Sequence, residues 1–365
     1  MNVYILGAVA HEAHQSINDR RLEEIAYETS HAALASCGVS RDEVDHVTLG
    51  ASDELDGRGI TSMLLAAPAG AYLRDEMRVT DSGMMALCMG ALRVATGRFD
   101  CGLVVSWSQT SIASLEEVTR MRAEPFNLRP IGMNRAISDG LFAQAAASRF
   151  GIDAAAVDAR VAERCQTAYR NERRASSQGT RTDANLPDDT IAYPLAGRHR
   201  APVTDGAAAL VLASEAWCRR NPQHRPLARL SAAAWAVDTY RLDARRLAGM
   251  EVFRNCFDLA MKRADLTSID ELDAIEFDAQ DGWCDLAYQH ELQSASRVRL
   301  SPSGGAWSQN PYFCTGLVNA VEAALQVSGR AGAVQVPGAK RVAAHGTHGF
   351  AQQAHAVVIM EGVAA

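Results

Sequence analysis

Apolar residues along the chain follow two spacings, one typical of helices and one typical of buried strands. Unbroken apolar runs at 103–105 and 356–360 predict buried strands, and the apolar start of the chain, 1–7, predicts a first strand. Between 22 and 34 apolar residues recur every three or four positions, which predicts an amphipathic helix with one face formed by Leu22, Ile25, Ala26, Ala33 and Leu34. Strands that alternate with helices indicate an α/β protein whose sheets are covered by helices.

Two pairs of segments resemble each other at similar separations along the chain. Residues 42–51 and 270–279, which are 228 positions apart, both follow a helical stretch and run into a short apolar strand. A second pair, which begins at Ser82 and Thr315, is 233 positions apart. The matching order and similar separation predict an internal duplication. The 365 residues would therefore form two related α/β halves.

The second pair of segments predicts two helices with well-defined ends. One begins after Ser82 and stops at Gly97, and the other begins at Thr315 and stops at Gly329. Ser and Thr are good N-cap residues, and Gly commonly follows the last helical residue. If the two halves pack around these helices, the two N-termini meet at the centre. Their free N–H groups and positive dipole ends can then hold an acyl oxygen or a developing oxyanion.

Residues 115–200 differ in character from the parts that flank them. They contain a predicted helix around 154–168, followed by a polar stretch rich in arginine, including Arg170, Arg173, Arg174, Arg181, Arg198 and Arg200. We therefore predict an N-terminal half (1–114 plus about 201–225), an inserted region (115–200) and a C-terminal half (226–365). The inserted region is either a cap that meets an anionic ligand or a solvated surface excursion.

Composition and charge exclude several classes of function. The net charge of -7, without a Lys/Arg block, argues against nucleic acid as a partner, because phosphate binding needs a concentrated basic surface. No apolar run approaches the roughly 20 residues that span a bilayer, and the first residues do not resemble a signal peptide. The eight cysteines include no Cys-x-x-Cys pair, so neither a zinc site nor a disulfide framework is expected. A cytoplasmic protein with free thiols is the simplest interpretation.

Four motifs, in the expected order over nearly the whole chain, resemble those of thiolases, particularly the sterol-carrier-protein type and its bacterial thiolase-like relatives. They are a strand–turn–helix at 79–100, an Asp-Gly-Ala-Ala strand entry at 205–208, a Ser-Gly-Gly block at 301–316 and a glycine-containing loop at 345–349. The resemblance implies the thiolase fold, in which two duplicated halves with mixed sheets pack around central helices in five layers, αβαβα. It also implies an acyl-CoA thioester as the substrate, with no permanently bound cofactor.

The chain departs from the thiolase pattern at the positions that carry chemistry. Thr80 stands two residues before the Ser-Gly, where typical thiolases have the nucleophilic cysteine. Asn310 stands in the place of the histidine of the Gly-His-Pro motif, and Phe277 in that of the asparagine of the Asn-Glu-Ala-Phe motif. His345 and the glycine after it stand where the family has Cys-x-Gly or His-Asn.

Two residues could replace the missing nucleophile. Thr80 has a much higher pKa than a thiol and a crowded β-carbon, so it is either a nucleophile with a close base or a packing and hydrogen-bonding residue. Cys314 immediately precedes Thr315 at the second converging helix N-terminus, where the dipole would lower a thiol pKa. The alternative is that Cys314 is a buried filler.

Four further residues are candidates for acid–base chemistry and oxyanion binding. His345 and His348 lie three apart in the loop that supplies the acid–base group in thiolases, and histidine exchanges protons near neutral pH. The alternative for each is a surface histidine or a core histidine whose hydrogen bonds are satisfied. Asp278 is a base or a solvated loop acid, and Asn310 can donate an N–H to an oxyanion. The two histidines lack a third metal ligand, so no metal is expected.

The resemblance also assigns residues to the binding of the coenzyme A thioester. These are Ser303, Gly304 and Gly305 of the Ser-Gly-Gly block. In the inserted region, Arg174 would meet the diphosphate of coenzyme A.

Three functions remain open from the sequence. The chain transfers acyl groups or forms and cleaves C–C bonds of acyl-CoA thioesters; or it is a retro-aldol lyase of a β-hydroxyacyl-CoA without a covalent intermediate; or it is a non-catalytic subunit that supports a cysteine-bearing paralogue. The resemblance implies a homodimer, or a heteromer with another thiolase-like chain or with a small zinc-ribbon/OB-fold protein. In the family the dimer interface is formed by edge strands of the first half, and the predicted interface strand here is 101–108, with Trp107 as an anchor.

Overall fold

The computed structural model describes residues 2–176, 190–294 and 297–363, in which strands and helices alternate as predicted. The first part contains β1 (Val3–Ala10), α1 (Leu22–Cys37), β2 (His46–Gly50), α2 (Ser62–Leu65), β3 (Asp75–Val79), α3 (Gly83–Ala95) and β4 (Cys101–Ser108). The next part contains α4 (Leu115–Met121), α5 (Arg135–Phe150), α6 (Ala154–Arg170), β5 (Thr190–Ala192), β6 (Leu195–Ala196), β7 (Gly206–Ser214) and α7 (Glu215–Arg220). The last part contains β8 (Ala228–Val237), α8 (Ala244–Gly249), α9 (Glu251–Arg263), β9 (Ala274–Glu276), α10 (Gly282–Leu292), β10 (Arg299–Leu300), α11 (Thr315–Val327), β11 (Arg341–His348) and β12 (Ala354–Gly362).

Ten of the described strands form one sheet, whose order is the same, from the middle outwards, in both halves, while β5 and β6 pair with each other separately. The first half runs β1, β7, β4, β2, β3, and the second runs β8, β12, β11, β9, β10. In both halves the inner pairs are antiparallel and the two outermost pairs are parallel. The halves are joined where Val3, Tyr4 and Ile5 of β1 pair with β8. This correspondence agrees with the duplication predicted from the sequence.

Helices α3 and α11 lie between the two halves of the sheet. Helix α3 packs on β2 and β4 of the first half and on β11 and β12 of the second, and α11 likewise contacts strands of both halves. Helix α1 covers the outer face of the first half, and α9 covers that of the second. The layers therefore alternate as helix, sheet, helix, sheet, helix, as the thiolase resemblance implied. Helix α11 is buried on nearly all sides because each of its faces meets protein.

Glycines allow the two central helices to touch at their first turns. A Cβ atom built on Gly316 would lie 2.8 Å from the Cβ of Met84, and one built on Gly83 would lie 3.0 Å from the Cβ of Leu317. Gly346 of β11 packs against the same point, beside Gly316 and Met84. Larger residues at Gly316 or Gly346 would push the helices and β11 apart, because carbon atoms do not pack this closely.

The edge of the first half is β3 and not the strand predicted from the sequence. Strand β4 pairs with β2 on one side and β7 on the other, and every residue of it is buried. Trp107 is only 1% exposed, and its indole N–H donates to the carboxylate of Asp56 (3.0 Å). The prediction that 101–108 forms an interface was wrong, because a long apolar run marks a buried strand as readily as an interface strand.

The inserted region packs closely on the second half. Helices α5 and α6 both contact α10. Arg164 of α6 is 1% exposed and binds Asp285 of α10 through two hydrogen bonds (2.8 and 2.9 Å). Arg173, just after α6, binds Glu322 of α11 (2.6 and 2.8 Å). A paired, buried guanidinium is an anchor and not a solvated surface charge. The boundaries predicted at 114/115, 200/201 and 225/226 remain a proposal.

Candidate functional site

The first turns of α3 and α11 meet beside the end of β11. The amide of Gly83 donates to the carbonyl of Phe313 (2.9 Å), which ties the start of α3 to the turn that precedes α11. Ser82 caps α3, because its hydroxyl oxygen accepts a hydrogen bond from the amide of Met85 (3.2 Å). The predicted convergence of two helix N-termini is present, and both positive dipole ends lie in this region.

A cavity of about 220 Å³ opens beside these N-termini. Its walls come from the segment after β2, the starts of α3 and α5, helix α4, the turn before α11 and the turn between β11 and β12. Its polar lining residues are Asp81, Ser82, Thr119, Arg122, Arg135, Tyr312, Thr347, His348 and Gln353. No cysteine is among the described residues that line it.

His348 is the one predicted acid–base residue whose side chain lines the cavity. Its side chain is 33% exposed, and its Nε2 lies 3.9 Å from Oδ1 of Asp81. Burial lowers the pKa of His348, and the charge of Asp81 opposes that shift only in part. A histidine with a lowered pKa is neutral at pH 7, so His348 can accept a proton there.

Tyr312 and Arg135 also line the cavity. The guanidinium carbon of Arg135 lies 4.8 Å from the centre of the Tyr312 ring, a cation–π geometry. Burial raises the pKa of Tyr312, and the neighbouring Arg135 lowers it by less. Tyr312 is therefore a protonated phenol at neutral pH and can donate a proton or a hydrogen bond.

A buried polar network lies directly behind Thr347. The carboxylate of Asp278 accepts from the amide of Thr347 (3.1 Å) and from the side-chain amide of Gln280 (2.7 Å). Gln280 and Asn310 exchange two hydrogen bonds (2.9 and 3.1 Å), and the hydroxyl of Thr315 donates to Asn310 (2.7 Å). Burial raises the pKa of Asp278 to about 6. The predicted residues Asp278 and Asn310 thus lie together, but behind the cavity wall, where they brace the end of β11 and the start of α11.

His345 does not line the cavity, and the prediction that it supplies the acid–base group gains no support from its position. It is fully buried, and its Nε2 lies 3.0 Å from Nδ1 of His355. Its ring contacts the rings of Phe253, Phe277 and Tyr288. Burial lowers the pKa of His345 to about 3. It is a neutral core histidine of the outer layer.

The two candidate nucleophiles are also displaced from the cavity lining. Cys314 is fully buried, and its thiol donates to the carbonyl of Ser106 (3.3 Å). Burial raises the pKa of Cys314 to about 12, so the expected lowering by the helix dipole is outweighed. Thr80 is exposed on the surface after β3, which also contradicts a packing role in the interior.

The residues predicted to bind coenzyme A in the Ser-Gly-Gly block are buried for structural reasons. Both the amide and the hydroxyl of Ser303 bind the carboxylate of Glu276 (3.1 and 2.7 Å). The amide of Gly305 donates to the hydroxyl of Ser303 (3.0 Å). A Cβ on Gly304 would lie 2.6 Å from the Cα of Ala168, because α6 covers this turn. The block is therefore a packed turn, and the assignment of ligand binding to it stays a prediction that this packing does not support.

Arg174 is not among the residues that line the cavity. Its guanidinium carbon is 4.6 Å from the centre of the Tyr169 ring. Its role toward the diphosphate of coenzyme A remains a proposal. Arg181 of the same arginine-rich stretch lies outside the described residues. In the parts of the chain that the structure describes, no group of three His, Cys, Asp or Glu residues is placed to hold a metal ion, and no helix is long and apolar enough to cross a membrane.

Sequence reasoning missed Asp81, Tyr312 and Arg135. Asp81 lies inside the quoted Thr-Asp-Ser-Gly motif, and Tyr312 lies between Pro311 and Thr315 of the 301–316 block, so both had a positional signal. The sequence carries almost no signal for Arg135, because this residue lies in the inserted region, where no motif marked it.

Cys314 is expected to stay unmodified when the native protein is treated with iodoacetamide at pH 8. A buried thiol with a pKa near 12 contains almost no thiolate at that pH. Peptide mass mapping would show the modification, with the partly exposed Cys218 as the control in the same sample. Faster alkylation of Cys314 than of Cys218 would contradict this description of the site.

Comparison with known proteins agrees with this fold. Residues 260–361 match a protein-family model described as thiolase C-terminal domain-like. No curated protein matches the sequence of the chain.

Among solved structures, the chain is similar to the Ltp2-ChsH2(DUF35) aldolase, with a TM-score of 0.77 at 17% identity, covering 99% of this chain and 98% of that one. It is similar to human mitochondrial 3-ketoacyl-CoA thiolase, with a TM-score of 0.77 at 16% identity over 100% and 99% of the two chains. For human mitochondrial 3-ketoacyl-CoA thiolase in complex with CoA the TM-score is 0.76 at 14% identity, covering 99% of this chain and 98% of that one. The chain therefore has the thiolase fold, and its last third resembles the C-terminal domain of thiolases.

Proposed function

We propose that the chain cleaves, or in reverse forms, a C–C bond of a β-hydroxyacyl-CoA by a retro-aldol reaction without a covalent intermediate. The observation that carries this proposal is the lining of the cavity at the two helix N-termini. It offers His348, Asp81 and Tyr312, while Cys314 lies behind the wall and Thr80 lies outside it. The likeness to a thiolase-fold aldolase adds support.

Each step of this reaction has a group in the cavity. Neutral His348 takes the proton of the β-hydroxyl, and Asp81 stabilises the resulting imidazolium. The Cα–Cβ bond breaks, a carbonyl compound forms on the β-carbon side, and the electron pair passes to the thioester enolate. The positive ends of α3 and α11 stabilise the enolate oxygen. Tyr312 then supplies a proton to the α-carbon, which gives the shorter acyl-CoA.

Incubation with a set of β-hydroxyacyl-CoAs tests the proposal, with the shorter acyl-CoA and the carbonyl product followed by chromatography. The intact mass of the protein is measured in the same samples. Product without a mass increase is the expected result. A stable acyl adduct on the protein would favour acyl transfer through a relocated nucleophile and would contradict a non-covalent route.

Association with a second chain is a further proposal, supported by the surface beside β3. Among the described residues this edge strand has one hydrogen-bonding side without a partner strand, and exposed apolar residues lie on it and near it: Ile60, Met63, Leu64, Tyr72, Leu73 and Met77. Thr80 and Asp81 follow β3 directly, so the partner would lie near the cavity. The partner is a second copy or another thiolase-like chain; a small zinc-ribbon/OB-fold protein and a cytoplasmic location also remain proposals.

Met77→Lys is expected to weaken dimerisation by at least about tenfold, because it places a charge in an interface that excludes water. Light scattering at several concentrations measures the change. Leu259→Lys is the matched control, since Leu259 is equally exposed but lies on α9, on the far half. A wild-type chain that stays monomeric at all concentrations would exclude the homodimer and leave the heteromer.

A further inference from the structure

Arg135 is a buried cation that the proposed reaction does not use. It is 6% exposed and lines the cavity. Its Nε lies 3.5 Å from Asp139, and its guanidinium stacks on Tyr312. In the part of the chain that the structure describes, its two terminal amines have no hydrogen-bond partner. Buried guanidinium groups normally have their donors satisfied, so these amines are available to a ligand in the cavity.

The position of Arg135 in its helix strengthens this interpretation. It is the first residue of α5, which Asn134 caps through the amide of Ile137 (2.9 Å). A cation at a helix N-terminus is disfavoured by the dipole. Asp139 neutralises the charge of Arg135 only in part, because the same carboxylate accepts a closer hydrogen bond from Arg200 (3.0 Å). The other arginine of the cavity, Arg122, is already bound to Glu54 (3.0 Å) and Ser52 (3.1 Å).

Resting on the proposed function, we propose that the two terminal amines of Arg135 bind a carboxylate of the substrate, so that the carbonyl product is a 2-oxo acid. The planar fork of a guanidinium matches a carboxylate with two parallel hydrogen bonds. The substrate is then a β-hydroxyacyl thioester with a carboxylate on its β-carbon. His348 takes the hydroxyl proton, the Cα–Cβ bond breaks, its electron pair and one proton remain on the acyl-CoA, and the β-carbon leaves as the oxo acid. The atoms balance without an oxidant or reductant.

Binding of a small oxo acid to the full chain tests this subsite independently of catalysis. Isothermal titration compares pyruvate with butanone, a neutral ketone. Wild-type protein is expected to bind pyruvate at least tenfold more tightly than butanone. Arg135→Gln should lose that preference, and Arg120→Gln should keep it, because Arg120 is an exposed arginine of α4 that does not line the cavity. Arg135→Lys, which keeps the charge but not the fork, should show an intermediate preference.

The outcomes separate this inference from the proposed function. If wild-type protein binds pyruvate no better than butanone, the carboxylate subsite is excluded, whether or not the Arg135 variants fold. If β-hydroxyacyl-CoAs without the extra carboxylate are cleaved and the carboxylated ones are not, the inference fails while the retro-aldol function stands. If pyruvate binds in an Arg135-dependent way but no thioester is cleaved, the subsite stands and the proposed function fails.

Discussion

His348→Gln is expected to lower kcat for C–C cleavage by about 10²–10⁴-fold, the usual contribution of a general base. Glutamine keeps a polar side chain of similar reach but cannot accept the proton. Because the side chain of His348 is only partly buried, the melting temperature should change little. Steady-state kinetics and a thermal melt of the same sample measure both effects.

The pH dependence gives a second readout for His348. Burial lowers its pKa below the usual 6.5, and the neutral form is the active one. Activity should therefore be present above the His348 pKa and be lost as the pH falls through it. Asp81→Asn removes the charge that raises this pKa, so it should move the acidic limb to lower pH. His31→Gln, at an exposed histidine of α1, is the matched control and should leave kcat unchanged. An unaltered kcat in His348→Gln would remove His348 from the mechanism.

His345→Ala is expected to cost about 2–5 kcal/mol of the free energy of unfolding while the catalytic groups stay in place. The substitution removes a fully buried ring from the cluster around Phe253 and Tyr288 and leaves Nδ1 of His355 without its partner. Urea denaturation at pH 7.5 measures the loss. The fraction that remains folded should retain cleavage activity.

The same histidine predicts an acid sensitivity of the fold. The pKa of His345 is about 3 in the folded chain and near 6.5 when unfolded, so between these values the unfolded state binds more protons. Its contribution to stability is complete above pH 6.5 and is lost as the pH falls from there toward 3. His345→Phe should reduce the slope of stability against pH in this range. If His345→Ala proved as stable as wild type yet inactive, His345 would belong to the active site after all.

The different surroundings of the two histidines show how far the sequence could predict the candidate site. The motif placed both near the site, but it predicted a loop, whereas β11 continues to His348. Side chains alternate along a strand, so Gly346 and His348 share the face toward the central helices and His345 takes the other face. A sequence prediction that extended the strand to His348 would have placed the two histidines on opposite faces of the sheet.

Burial explains the other differences between prediction and structure. The duplication, the cap of Ser82 on α3 and the positions of the two helices follow from local periodicity and capping, which the sequence records directly. Thr315 does not cap α11, because the N-cap residue there is Cys314, which makes no side-chain cap hydrogen bond. The pKa of Cys314 and the burial of the Ser-Gly-Gly turn depend on the elements that pack against these residues in the folded chain. For Ser303 and Gly304 that is α6, which comes from the inserted region and carries no motif. Arg135 reaches the cavity for the same tertiary reason.

The contact of Gly316, Gly346 and Met84 has a consequence for how such a chain can diverge. The close approach of the two central helices and β11 depends on the glycines at 316 and 346 and on backbone hydrogen bonds such as that from Gly83 to Phe313. No side chain at these positions takes part in the proposed chemistry. Mutations can therefore replace the reactive side chains one by one while the packing of the central helices stays the same. In such a scaffold a new reaction can arise, or an old one can be lost, while each intermediate sequence still folds.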